Sequence, residues 1–331
     1  MLLTNGLNYN RSWGIDITWP AGTILKSIGD LYESGLRFPD LKLELTKDEI
    51  QFIRDGALLV LDGSWTSSHY EEMFDLFSKD LDYLNINKNN VLVLTGNLSN
   101  NYSTSSGIHN IGVPILAELV YHLRDKVQFN IPSTKFVSLN RNPRRHRIEL
   151  AQDMIDAKLN CDISFPAVQG RWDNMVVWRD DFMTAPPITF TEDMFPGYGK
   201  YSFVVVPEAS VGLKNEIGIF ITEKTFKPML FDRPLIIWGQ RGVNHFIKEL
   251  GFKLYDKYFD LSFDLIEDEN ERRKGLMNVL KSTIIEDPYK WLNRDKETLE
   301  YNRQGVLNRI ACSKAIIDIN YWLKLRSESL L

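Results

Sequence analysis

Two apolar runs near the middle of the chain constrain the fold more than any other feature. They are Phe203-Val204-Val205-Val206 and Pro234-Leu235-Ile236-Ile237-Trp238. Neither alternates between apolar and polar residues, so each reads as a parallel strand covered on both faces. The first stops at Pro207-Glu208 and the second at Gly239. Between them lies a polar loop, then Phe220-Ile221-Thr222-Glu223-Lys224, which sets a carboxylate and an ammonium at a helix start. In an open parallel sheet, ligands sit beyond the carboxyl ends of strands and against helix N-termini. Glu208, Thr222, Glu223 and Lys224 are therefore expected at such a crevice; Gly239 and Gln240 could line it too or could equally form a plain turn. Pro228 conflicts with a helix begun at Glu223, because it removes an internal hydrogen bond and crowds the preceding turn. The helix either kinks there or begins near Lys227.

The rest of the chain repeats the α/β pattern. Ala57–Leu61 reads as a buried strand ending at Asp62-Gly63, and Val91–Leu94 as another ending at Thr95-Gly96-Asn97. Tyr70, Met73, Phe74, Phe77, Leu81 and Leu84 share one helical face between them. Strand, helix, strand makes a βαβ unit. A helix is expected from Pro114 to about Arg124 and a strand over Lys135–Leu139. A further helix follows, with Ile148, Ala151, Met154, Ile155 and Leu159 on its apolar face. Residues 1–50 carry no clear period, and 160–200 read as loops and short elements. Val243–Leu250 reads as a short helix closed by Gly251, and the tail from about Asn270 as helical with a break near Pro288.

The chain has 331 residues, 44% of them hydrophobic and 12% aromatic, enough for two domains of ordinary size. A net charge of -5 argues against a general polyanion binder but not against a local basic groove. Cys161 and Cys312 lie in different halves with no metal-ligand spacing, which points to a reducing compartment. The N-terminal MLLTNGLNYN lacks the charge and apolar core of a signal peptide. No run approaches the length of a membrane span. The expectation is a cytoplasmic protein.

The Tyr201–Gly239 segment resembles the donor-binding motif of the α1,3-fucosyltransferase-like glycosyltransferases. That motif runs apolar strand, acidic residue, spacer, aromatic-x-Thr-Glu-Lys, helix, strand, Gly. The TEKTFKP stretch is also similar to one in a group of tailed-phage proteins. The resemblance implies a GT-B arrangement: two Rossmann-like domains facing across a cleft, with C-terminal helices that often cross back onto the first domain. Residues 1–130 would form the acceptor-side domain. Residues 131–331 would form the nucleotide-sugar domain with its helical tail.

Sugar transfer from a nucleotide donor leaves a diphosphate, whose charge the enzyme must meet. No Asp-x-Asp metal motif occupies a fitting position, so protein cations are expected to do this, with no metal or other cofactor. Arg141, Arg144, Arg145 and Arg147 follow a strand and open a helix, a place suited to phosphate. A solvated basic helix start is the alternative. The family's loop Arg after a Val-Ser strand favours Arg144 and Arg147. Thr222 and Lys224 would complete the donor site, and Glu223 resembles the family residue that holds the ribose hydroxyls. Glu208 matches the family's acidic residue near the donor sugar and is carried with the catalytic candidates. It could equally cap the turn that follows.

An inverting transfer needs a base for the acceptor proton. The family supplies a Glu from a Thr-Gly-Glu-Asn turn, but this chain has Thr95-Gly96-Asn97-Leu98 there. Asp62 is the substitute, with His69, Glu71 and His109 behind it; Asp62 could also merely cap its turn. Trp65 could stack on a sugar or a base. The tailed-phage resemblance implies as acceptor a hydroxymethylated pyrimidine in double-stranded DNA, flipped into the cleft, or equally a surface glycan of lipopolysaccharide type. Arg11, Lys26, Arg37, Lys42, Lys47 and Arg54 could give DNA a basic face. A catalytically inactive nucleotide-sugar-binding module is the rival from another class.

Overall fold

The computed structural model describes residues 17–27, 43, 45–63, 70–96, 98, 107–114, 117, 120–121, 124–127, 129–140, 144–164, 198–212 and 219–329. The chain forms two compact units. The first comprises Met1–Glu118, Lys214–Phe220 and Ala311–Leu331, the second Leu119–Leu213 and Ile221–Ile310. The division differs from the two contiguous segments read from the sequence. The C-terminal stretch from Ala311 groups with the first unit, and the break falls at 118/119 rather than 130/131.

In the first unit, β1 (Ile24–Ser27), β2 (Leu59–Gly63), β3 (Val91–Thr95) and β4 (His109–Gly112) form a parallel sheet in that order. Two helices, α1 (Lys47–Arg54) and α2 (Tyr70–Tyr83), lie in the connections. Leu59, Leu61, Val91 and Val93 pack with Ile53, Phe74, Phe77 and Leu81 in one core cluster. The α2 face read from the sequence therefore faces the sheet, at Phe74, Phe77 and Leu81. Thr46 opens α1 with a reciprocal capping box, its hydroxyl accepting from Glu49 N while the Glu49 carboxylate accepts from Thr46 N. Between Pro114 and Arg124, the described residues Ala117, Val120 and Tyr121 are helical.

In the second unit, β5 (Phe136–Leu139), β6 (Cys161–Ser164), β7 (Val204–Pro207) and β8 (Leu235–Trp238) are all parallel, in the order β6-β5-β7-β8. β7 and β8 are buried throughout, as their unbroken apolar runs require. β6 falls where loops were expected. Four residues, Cys-Asp-Ile-Ser, are too few and too mixed to show a period, and the strand forms because it pairs with β5. Residues 165–197 lie outside the described residues.

Among the described residues, the helices of this unit are α3 (Arg145–Asp156), α4 (Glu223–Leu230), the single turn α5 (Val243–Phe246), α6 (Glu269–Ser282), α7 (Pro288–Asn293) and α8 (Lys296–Leu307). The last helix, α9 (Ile310–Ser329), returns to the first unit. Pro288 begins α7, where a missing amide costs nothing. Pro228 sits inside α4, which starts at Glu223 and not near Lys227. Every residue of α4 from Thr225 to Leu230 is buried, so tertiary packing outweighs the proline penalty. Phe203 is the aromatic centre of this core, stacked on Phe136 at 4.6 Å and edge-on to Phe259 at 5.1 Å. Cys161 and Cys312 are free thiols. Among the described residues, no helix is long and apolar enough to cross a membrane.

Candidate functional site

The strand order of the second sheet marks the place where open parallel sheets take a ligand. From β5 the chain goes on to β6 on one side, and from β7 to β8 on the other, so the connections leave the β5/β7 pair in opposite directions. Such a switch point opens a crevice at the carboxyl ends of the two strands. The residues after β5 are Asn140 to Arg147, and those after β7 are Glu208 to Val211. Both Arg candidates and Glu208 thus come to the same place from different segments.

Glu208 organises it. Its side chain is fully buried and its two oxygens take four hydrogen bonds. Oε1 accepts from Thr222 N at 3.0 Å and Thr225 Oγ1 at 2.6 Å. Oε2 accepts from Thr222 Oγ1 at 2.6 Å and Ala209 N at 3.2 Å. The carboxylate therefore holds both threonines of the Thr222-Glu223-Lys224-Thr225 start of α4 against the end of β7. Its backbone carbonyl accepts in turn from Arg147 Nε and Nη2, at 3.2 and 2.9 Å, and hydrogen-bonds His146 Nε2 at 3.0 Å. These contacts give Glu208 a structural part in the site. A carboxylate with no exposed surface and its lone pairs occupied clamps the start of α4 to the end of β7, and only its bond from Ala209 N lies in the turn that follows.

Arg147 is buried by the same contacts, and burial, with Arg144 nearby, lowers its pKa to about 10. It is still charged at neutral pH. Arg144 is exposed and donates to the Ala209 carbonyl. Arg145 points elsewhere, into an ion pair with Glu149 of α3. Arg141 lies outside the described residues. The register within the Arg run is thus set by the helix: Arg144 is the N-cap residue and Arg147 the third helical residue.

Thr222 caps α4, its hydroxyl accepting from Lys224 N. Lys224 Nζ is 3.1 Å from Glu223 Oε1 and donates to Thr222 Oγ1 at 3.2 Å. Lys227, almost wholly buried, has its Nζ 4.0 Å from the same Glu223 oxygen. Burial raises the Glu223 pKa, but Lys224 and Lys227 more than offset it and bring it to about 2. Glu223 is consequently ionised at any physiological pH. The Lys224 side chain retains 22% exposure, which leaves its ammonium the most accessible cation of this helix start.

Sequence reasoning did not single out Thr225, Lys227 or His146. The signal for Thr225 was present: it stands three residues after Thr222, so both hydroxyls fall on one side of a helix start. The two Lys residues, at one and four positions after Glu223, flank it on the same turn.

The other candidates stand apart or lie outside the described residues. The Asp62 backbone is at the carboxyl end of β2, registered with Ser27 and Leu94. Its side chain lies outside the described residues, as do Trp65, His69, Asn97 and the Glu71 side chain. His109 is exposed on β4 with its ring 5.7 Å from Trp322. Gly239 packs against Glu208 closely enough that an added Cβ would lie 3.3 Å from the Glu208 Cβ. Of the residues considered for a basic face, Lys26 is paired with Glu49 at 2.8 Å and Arg54 is turned onto the Leu84 carbonyl. Arg11, Arg37 and Lys42 lie outside the described residues. A groove of about 380 Å³ lies on the second unit at the far end of α3, lined by Asp153, Lys274 and Met277 among others, and is separate from the crevice.

Comparison with known proteins yields a loose likeness. No protein-family model and no curated protein matches the chain. Among solved structures, an α1,3-fucosyltransferase is 10% identical, with 80% of this chain and 76% of that chain covered and a TM-score of 0.37. A T4 phage BGT mutant in complex with UDP-glucose is 13% identical over 80% and 84% of the two chains, with a TM-score of 0.39. The DNA modifying enzyme β-glucosyltransferase is 14% identical over 80% and 83%, with a TM-score of 0.38.

Proposed function

We propose that the chain is a glycosyltransferase that moves a sugar from a nucleotide donor to an acceptor hydroxyl. The observation that carries this reading is the convergence at the β5/β7 switch point. There, Arg144 and Arg147 come from one segment and Thr222, Glu223 and Lys224 from another, with Arg147 and Thr222 bonded to the buried Glu208 and Arg144 to the carbonyl of the next residue, Ala209. In this reading the diphosphate lies at the α4 start, with Lys224 and Arg144 meeting the charge that grows as the glycosidic bond breaks. Arg147 positions the β7 end and adds field from behind. Glu223, held ionised, accepts from the ribose hydroxyls. Transfer is inverting and needs no metal, with Asp62 taking the acceptor proton. The acceptor is a hydroxymethylated pyrimidine in duplex DNA. Asn97, in place of a carboxylate, favours a second reading: a module that binds the donor without turning it over.

A thermal-shift panel of UDP, GDP, CMP and dTDP, with their sugars, tests the donor site. A ligand at about a hundred times its Kd adds roughly 2.7 kcal/mol of stability. One nucleotide should raise the Tm of the wild type and fail to raise that of Lys224→Ala. No shift with any nucleotide at millimolar concentration would overturn the transferase reading. Asp62→Asn should keep the shift and lose turnover; a wild type that binds donor but turns over no acceptor supports the inactive module. DNA as acceptor predicts affinity that falls steeply with salt, whereas a glycan predicts little change.

A further inference from the structure

The C-terminal helix α9 is apolar on two opposite faces, but only one is packed. Ala311, Cys312, Ala315 and Ile319 are buried against the first unit. On the other side, Ile317, Tyr321 and Leu325 follow one another at four-residue spacing and are 66%, 63% and 45% exposed. A helix that is hydrophobic all round is normally buried all round. Four charged residues share the exposed face: Lys314, Asp318, Lys324 and Glu328. They pair within the helix, Lys314 with Asp318 at 2.9 Å and Lys324 with Glu328 at 3.8 Å. Both pairs run Lys before acid, the weaker order for a helical pair, because it sets each charge unfavourably to the helix dipole.

The sequence of this face is complementary to itself when reversed. With two copies antiparallel and Tyr321 opposite Tyr321, Ile317 faces Leu325. Lys314 then faces Glu328, and Asp318 faces Lys324. Every apolar residue meets an apolar one and every charge its opposite, on a stripe about 21 Å long at 1.5 Å rise per residue. That is the self-complementarity that a two-fold interface demands, since one patch must serve as both partners. A parallel pairing would set each charge against its like. We infer that α9 is an association surface for a second copy of this chain, in a weak antiparallel homodimer. Three apolar residues a side, with charged flanks, suit a small interface whose charges set register and orientation more than affinity.

Sedimentation velocity over micromolar to submillimolar protein tests this. Wild type should shift from monomer to dimer as concentration rises. Tyr321→Glu should stay monomeric over the same range. Because that variant changes an apolar residue, the charge variants provide an independent check. Lys314→Glu sets like charges together at both ends of the stripe and should weaken the dimer about tenfold or more. Adding Glu328→Lys should restore it. A wild type that remains monomeric throughout overturns the inference. So does a dimer indifferent to Tyr321→Glu, which would place association elsewhere, or a double charge variant no better than the single one.

Discussion

His146 is a buried imidazole whose charge the surroundings oppose. Burial lowers its pKa from 6.5 to about 4, and Arg147 and Arg144 add to the effect, while the Glu208 carbonyl opposes it. The ring is therefore neutral at pH 7, with Nε2–H donating to that carbonyl. A histidine with a depressed native pKa takes up its proton more readily when unfolded. Its contribution is complete above about pH 6.5 and is lost as pH falls toward 4, in total of order 3 kcal/mol at about 1.36 kcal/mol per unit. Glu223, carried down to about 2, begins to add its own loss only below about pH 4.5. Urea unfolding from pH 7 to 5 should thus show falling stability in the wild type and a flatter profile in His146→Gln, whose amide can still donate to the carbonyl. Equal slopes in the two proteins would mean that His146 does not titrate across this window.

At the scale of elements, what the sequence made legible depended on contrast. The Val204–Val206 and Leu235–Trp238 runs are so uniformly apolar that only a doubly covered strand accommodates them, and both lie in the sheet as read. β1 and β6 are four residues each, with Lys26, Ser27 and Asp162 among them, and owe their extended form to a neighbour's backbone rather than to their own pattern. Glu208 was legible in place but not in role, because its role depends on where Thr222 and Thr225 return in space. The helix expected over Val243–Leu250 is a single turn, α5, followed by tight hydrogen-bonded turns that bring Gly251 to a φ of +91°. At Gly251 an added Cβ would lie 2.4 Å from Ile310 Cγ2. Gly251→Ala therefore meets both left-handed backbone strain and a steric clash, together costing roughly 2–4 kcal/mol. A chemical-denaturation midpoint within error of wild type would show that this turn relaxes freely.

At the scale of the molecule, the chain closes its first unit with its last helix. The long excursion through the second unit is tied off where Arg326 Nη2 donates to the Gly56 carbonyl and to Asn90 Oδ1, the latter at 3.1 Å. Asn90 is buried and its amide donates in turn to the Ile53 carbonyl at 3.0 Å. One guanidinium thus links α9 to the end of α1 and to the turn that launches β3. Asn90 is buried and Gly56 half-buried, so the Asn90 oxygen does not readily regain water if the guanidinium is removed. Arg326→Ala should lower the stability of the first unit by roughly 1.5–3 kcal/mol, the range for hydrogen bonds with a charged partner. Because each unit carries its own sheet and core, the loss should be local. Hydrogen exchange followed by mass spectrometry should show faster exchange in peptides covering β2, β3 and α9, with β7 and β8 unchanged. Equal acceleration in both units would mean that they unfold as one. No acceleration in either would mean that α9 is held by its apolar face alone, through Ala315 and Ile319.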